Sequence, residues 1–204
     1  MSKLLLREFS NFEYEKPTDD QGKNRLSKYG NILIRGVIQR ANALNQNERI
    51  YPRAILEREV RNYNTLIKER RATGELDHAD SPVVNLQNVS HVITDIWWKG
   101  DDLWGEIEVL ESLDQGKNLK GLIENGIKVG ISSRSLGNVQ KVGDVNVVQD
   151  DLYLVCWDIV SEPSTHGAFL SEAKSYSDEE IKQTMRKSDR LDRVVNEVLM
   201  LRRK

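Results

Sequence analysis

Ile127-Lys128-Val129-Gly130-Ile131-Ser132-Ser133-Arg134 is the stretch from which the rest of the chain can be placed. Under the two-residue period of a strand, Ile127, Val129, Ile131 and Ser133 share one face, and Lys128, Gly130, Ser132 and Arg134 share the other. The apolar face is the core face. Alternation therefore turns Ser133 inward as a small core-edge hydroxyl and Ser132 outward, beside a glycine that admits another backbone and an arginine able to hold an anion. A serine hydroxyl is a weak nucleophile at neutral pH, so a catalytic reading needs a base within hydrogen-bond reach and a group that orients the base. The chain has three histidines, His78, His91 and His166.

Outward from this strand, the chain reads as one folded domain with two extensions. Residues 1–28 are polar, dense in turn formers from Lys16 to Gly22, and predict a mobile leader. Asn31 to Gln39 predicts a strand, and Pro52 to Arg71 a helix with Ile55, Val60, Tyr63 and Ile67 on its buried stripe. Val89 to Trp98 and Leu103 to Leu110 predict a hairpin, with His91 as a satisfied strand residue. Leu113 to Glu124 predicts a helix stopped by Asn125-Gly126, which delivers the chain into the Ser132 strand. A turn at Gly143-Asp144 separates two short strands. Leu152 to Val160 predicts a buried strand on whose apolar face Asp158 stands out; a carboxylate there needs an imidazole or a cationic partner. The domain spans 29–170, and 171–204 is a linker followed by a helix whose residues 186–204 hold seven Lys/Arg against three Asp/Glu.

Composition excludes little. With 204 residues, 38% apolar and 30% charged, the chain suits a soluble domain; the net charge of −2 gives no global signal for nucleic acid, and no apolar run reaches bilayer length. Cys156 is the single cysteine and reads as a buried thiol. The residues alone leave three functions open. One is a serine hydrolase; another is a non-enzymatic scaffold or assembly protein acting through the basic C-terminal helix. The third, a metal hydrolase using Asp77, His78 and His91, lacks any helical His-x-x-x-His spacing, so neither metal nor cofactor is expected.

Gly74-Glu75-Leu76-Asp77-His78, Trp97-Trp98, Gly130-Ile131-Ser132-Ser133-Arg134 and Asp158 through Pro163-Ser164 occur in an order that resembles the prohead core proteases of tailed phages. Asn45-Gln46-Asn47-Glu48-Arg49-Ile50-Tyr51-Pro52 is also similar to that family's helix start. The resemblance covers roughly residues 30–170 and implies an α+β serine peptidase similar to herpesvirus assemblins: a closed, mostly antiparallel β-barrel surrounded by helices, here with a C-terminal helical tail. It implies Ser132 as nucleophile, His78 as base and, where assemblins use a second histidine, Asp158 as orienter. Backbone amides near Ser133 and Arg134 are the oxyanion candidates, with Gly130 and the Arg134 side chain as substrate candidates. The implied substrates are prohead scaffold, core and major capsid proteins, cut inside the prohead in the host cytoplasm. A homo-oligomer is compatible with this reading, a membrane or specific nucleic-acid partner is not implied.

Proteases of this type cut after glutamate in a Leu/Ile-x-Glu context. Here that pattern falls in predicted helices at Glu57, Glu69 and Glu124, and outside them at Leu6-Arg7-Glu8 and Leu170-Ser171-Glu172. Self-cleavage is therefore expected after Glu8 and Glu172, the second cut freeing the basic helix.

Overall fold

The computed structural model describes residues 2–77, 79–161 and 174–184, with the single positions 189, 193–195 and 198 beyond them. Its elements run β1 (Ser2–Asn11), β2 (Tyr14–Glu15), β3 (Leu33–Arg40), β4 (Arg49–Ile50), α1 (Arg53–Lys68), β5 (Thr73–Glu75), β6 (Val89–Lys99) and β7 (Asp102–Val109). They continue through α2 (Asp114–Glu124), β8 (Val129–Gly137), β9 (Val139–Val142), β10 (Val145–Val148), β11 (Tyr153–Ser161), β12 (Ser175–Ser177) and α3 (Asp178–Thr184).

Local chemistry explains the boundaries. Pro52 stands at the start of α1, where its missing N–H costs nothing. Leu56, Val60 and Tyr63, spaced four and three, put one stripe of α1 into the core. Tyr63 meets the Trp157 ring edge-on at 4.9 Å. Burying each such side chain contributes roughly 1.5–3 kcal/mol. The expected stripe differs at its flanks: Ile55 and Ile67 are half-buried, whereas Arg58 and Glu59 are buried as an ion pair at 2.9 Å. Gly126, with φ +69°, turns the chain out of α2 and into β8. Gly100 and Gly143, at φ +60° and +62°, make the turns of the β6–β7 and β9–β10 hairpins.

Three sheets result. The first has the order β11-β8-β1-β12, the second β2-β3-β7-β6-β5 and the third β4-β10-β9. The main core lies among α1, α2 and the inner faces of the first two sheets, with Ile34, Ile93, Ile107, Ile131, Trp157 and Ile159 fully enclosed. Along one seam those sheets meet, through a parallel bridge between Leu76 and Ile159 and the Asp77 amide donating to the Ile159 carbonyl at 2.8 Å.

The opposite seam is open, which corrects the expected closed barrel. Closure needs every edge strand paired. Here β2 reaches only Gly36 and Arg35 of β3, and β12 takes the outer edge of β1 only from Ser2 to Leu4. A groove of about 800 Å³ separates Glu8–Asn11 from Val37–Arg40. No sheet closes on itself, and α1 and α2 pack on the sheets without surrounding them. The expected C-terminal helical tail is likewise not evident: among the described residues the last continuous helix is the seven-residue α3, and only isolated helical positions are described after it.

The expected mobile leader is a second correction. Residues 2–11 form β1, a central strand paired with β8 from Leu4 to Asn11. Leu5, Leu6 and Phe9 are buried, so the charged Arg7-Glu8 pair that made the segment look polar interrupts a core strand.

Candidate active site

In an antiparallel ladder, directly opposed residues point to the same side. Ser132 stands opposite Phe9 of β1 and Asp158 of β11; Ser133 stands opposite Glu8 and Trp157; Arg134 stands opposite Arg7 and Cys156. One face of β8 therefore gathers Ser132, Arg134, Cys156 and Asp158, and the other carries Ser133. Alternation separated the two serines as expected, but the outward face is not open. Every residue of β8 is buried, and Ser132 is 1% exposed.

Gly130 follows from the packing of this face. A Cβ there would lie 2.0 Å from the Phe9 ring, so the glycine makes room for a side chain of β1 and not for a substrate backbone. The Ser133 and Arg134 amides, expected to bind an oxyanion, belong to a strand paired on both sides along this stretch. Their N–H groups point along the ladders toward β1 or β11, away from a substrate above the face.

The Arg134 guanidinium is wholly enclosed and meets protein groups only. Nη2 donates to Glu75 Oε1 at 2.8 Å and to Asp158 Oδ1 at 3.1 Å, and Nη1 donates to the Ser81 carbonyl at 3.0 Å and the Val83 carbonyl at 3.5 Å. Nε and Nη2 also reach Cys156 Sγ at 3.3 and 3.2 Å. This side chain, expected as an anion holder, has no face left for a substrate.

Asp158 found the cation that its buried position required. Oδ1 accepts from the Glu75 amide at 2.9 Å and from Cys156 Sγ at 3.3 Å. Arg134 Nε lies 3.0 Å from Oδ2 but out of hydrogen-bond alignment, so Oδ2 accepts no hydrogen bond. Burial raises the carboxyl to about 6 against the pull of Arg134, the Glu75 amide and Cys156, and the Glu75 charge adds to the rise. Ser132 Oγ, on the Cα-paired residue, is also buried without a hydrogen-bond partner. Cys156 is a buried thiol whose titration is pushed well up, first by burial and then by Asp158.

Of the histidines, His78 and His166 lie outside the described residues, as does Glu172. The chain on either side of His78 is held at this face: Asp77 by Ile159, and Asp80 through its carbonyl, which accepts from Tyr176 Oη at 3.0 Å. His91 is structural. Its Nε2 donates to the Trp157 carbonyl at 3.0 Å, which leaves Nδ1 to accept from Ser90 Oγ at 2.9 Å, and burial lowers its pKa to about 4.

One site residue escaped the sequence reading. Glu75 is fully buried, bonded to Arg134 and to the Asn85 amide. Its signal was Arg134 itself: an arginine inside an apolar strand needs acceptors for five N–H donors, more than Asp158 alone can supply. Glu8 is buried as well. Asn45 and Asn47 donate to its Oε2 at 2.6 and 2.8 Å, and Arg49 and Tyr51 to its Oε1 at 2.6 and 2.9 Å. Four alternate residues of the Asn45–Tyr51 stretch thus converge on one carboxylate of β1. The peptide bond after Glu8, expected as a self-cleavage point in a loose leader, lies within a paired central strand.

The family described as prohead core protein serine protease matches residues 10–179. The prohead core protein protease of Enterobacteria phage T4 is 33% identical over 144 residues, which cover 69% of this chain and 68% of that protein. Among solved structures, the bacteriophage T4 capsid assembly protease, gp21, superposes with a TM-score of 0.69 at 28% identity, covering 79% of this chain and 99% of the other. With Ser132 in its paired central strand and the ordered motifs around it, this chain belongs to the prohead core protein serine proteases.

Proposed function

We propose that the protein is the maturation protease of a tailed-phage prohead, acting inside the particle on scaffold, core and major capsid proteins. Ser132 is the nucleophile, His78 the base and Asp158 the group that stabilises the imidazolium. The observation that carries this reading is the placement of two orphans opposite each other on one face, whereas the Ser133 hydroxyl, also without a partner, lies on the other face. Ser132 Oγ and Asp158 Oδ2, on directly opposed residues, are buried and accept or donate no hydrogen bond. Leaving both unsatisfied costs stability, and an imidazole between them would satisfy both. On either side of His78 the chain is held to this sheet, Asp77 by Ile159 next to Asp158 and Asp80 by Tyr176 of β12.

In the proposed step, Ser132 Oγ attacks the scissile carbonyl as its proton passes to His78, and Asp158 supports the imidazolium that forms. His78 then returns the proton to the leaving amine, and water hydrolyses the acyl-enzyme. Because Ser132 is 1% exposed, a substrate carbonyl reaches it only after the side chains packed around it move.

Cleavage follows glutamate, and self-cleavage follows Glu172. The bond after Glu8 resists while β1 remains in its sheet. Scaffold digestion by Ser132→Ala and Ser133→Ala variants, with mass-spectrometric mapping of a fluorophosphonate adduct, tests the assignment. Ser132→Ala is expected to lose all cleavage and Ser133→Ala, which removes a buried hydroxyl that makes no hydrogen bond, to retain it. Wild-type turnover by Ser132→Ala would sink the reading. Intact-mass analysis tests the processing: a Ser132-dependent fragment ending at Glu172 is expected, and one ending at Glu8 is not.

A further inference from the structure

The site's parts come from three separate stretches of chain, and one side chain touches all of them. Arg134 lies two residues from Ser132 on the same strand face. Its contacts are Glu75, three residues before His78; the carbonyl of Ser81, three residues after it; the carbonyl of Val83; and Asp158. We infer that Arg134 is the positioning residue of the site, tying both flanks of His78 and the Asp158 carboxylate to the strand that carries Ser132. The inference rests on the Ser132–His78–Asp158 reading above.

Arginine suits this task and lysine does not. The acceptors lie in different directions around the guanidinium, and only a planar fork with donors on three nitrogens can meet them together. An ammonium would satisfy two or three and leave the rest buried and unmet. A pair of charges kept for stability alone is commonly replaceable by apolar groups of similar volume. What such a replacement cannot reproduce is the hold on the Ser81 and Val83 carbonyls and on Asp158 Oδ1. That last contact leaves Oδ2 as the carboxylate oxygen without a donor. Arg134 also opposes the effect of burial on Asp158, so it helps keep that carboxylate ionised near neutral pH.

Two variants separate positioning from stability. Arg134→Lys keeps the charge; Glu75→Gln combined with Arg134→Met removes the Arg134–Glu75 ion pair and keeps much of the volume. Each is checked for folding by near-UV circular dichroism, then for cleavage of a scaffold-derived peptide and for the rate of fluorophosphonate labelling at Ser132. A misplacement of about 1 Å in a catalytic array costs on the order of a hundred-fold in rate. Folded Arg134→Lys is expected to lose about that much in kcat and in labelling rate, with KM within a few-fold of wild type. In the double variant the acid limb of the pH–rate profile is expected to move to higher pH, because Asp158 has lost its cation; a purely structural role would leave that limb in place. Wild-type labelling and an unmoved acid limb in the folded double variant would overturn the inference. If that variant does not fold, an unchanged kcat in Arg134→Lys overturns it equally. Failure of the underlying reading looks different: wild-type Ser132 takes no label and Ser132→Ala still cleaves, which removes the site and the positioning role together.

Discussion

Glu8 and Arg134 lie on adjacent central strands, are both buried, and solve the same problem in opposite ways. Glu8 takes all four of its donors from Asn45, Asn47, Arg49 and Tyr51, alternate positions of one short stretch. Arg134 draws its acceptors from β5 and the 81–83 segment, more than fifty residues before it in the chain, and from β11, more than twenty residues after it. The first is a clamp whose donors are close neighbours in the chain; the second draws on elements spread over much of the fold. A buried ion served by a local motif can be weakened one donor at a time, whereas one served by distant elements couples those elements to one another.

Mutations can break this contrast or sharpen it. The largest effect is expected from Glu75→Ala, which strips a fully enclosed guanidinium of a carboxylate and should cost about 3–5 kcal/mol in urea unfolding. Glu8→Gln should cost less, about 1–3 kcal/mol, because Arg49 stands at the protein surface with its side chain 20% exposed and can turn to water. A greater loss for Glu8→Gln than for Glu75→Ala would reverse the comparison. Asn47→Ala removes the donor to Glu8 Oε2 and to the Arg7 carbonyl, and about 1 kcal/mol should go with it. Equal losses at Asn45 and Asn47 would support a clamp of interchangeable donors.

The smallest effect expected is in acid, where two buried groups oppose each other. His91, with its folded pKa lowered to about 4, contributes stability above pH 6.5 that is lost as pH falls toward 4. Asp158, raised to about 6, contributes stability that is complete below its ordinary value near 4 and is lost as pH rises through 6. Between pH 6 and 4 their slopes partly cancel. Asp158→Asn removes the offset, so its melting temperature should fall more steeply than that of wild type over this range. Parallel melting curves would show that Asp158 does not titrate there. The same substitution should reduce cleavage by roughly ten-thousand-fold if Asp158 supports the imidazolium.

What the sequence made legible follows the same division. Alternation placed Ser132 and Ser133 on opposite faces, and the helix stop at Asn125-Gly126 led correctly into β8, because these signals lie within a few residues. Asp158 announced that it needed a partner without saying which. Glu8 looked like part of a polar leader because the donors that make its burial tolerable are about forty residues away. The face that looked open was covered for a comparable reason: Phe9, Glu75 and the 81–83 segment are brought to it by tertiary contacts that leave no periodic trace in β8. The barrel implied by resemblance failed at one seam, where β2 is two residues long and leaves the rest of β3 unpaired on that side.

The pairing of β1 sets a schedule for synthesis. Its main neighbour, β8, begins at Val129, and its outer neighbour, β12, at Ser175. During translation the apolar first strand therefore leaves the ribosome long before either partner has been made. At about 5–20 residues per second, β1 waits roughly 6–25 s for β8 alone. The hairpin β6–β7 with β3 is the part that can fold first, since its strands lie within fewer than eighty residues of chain.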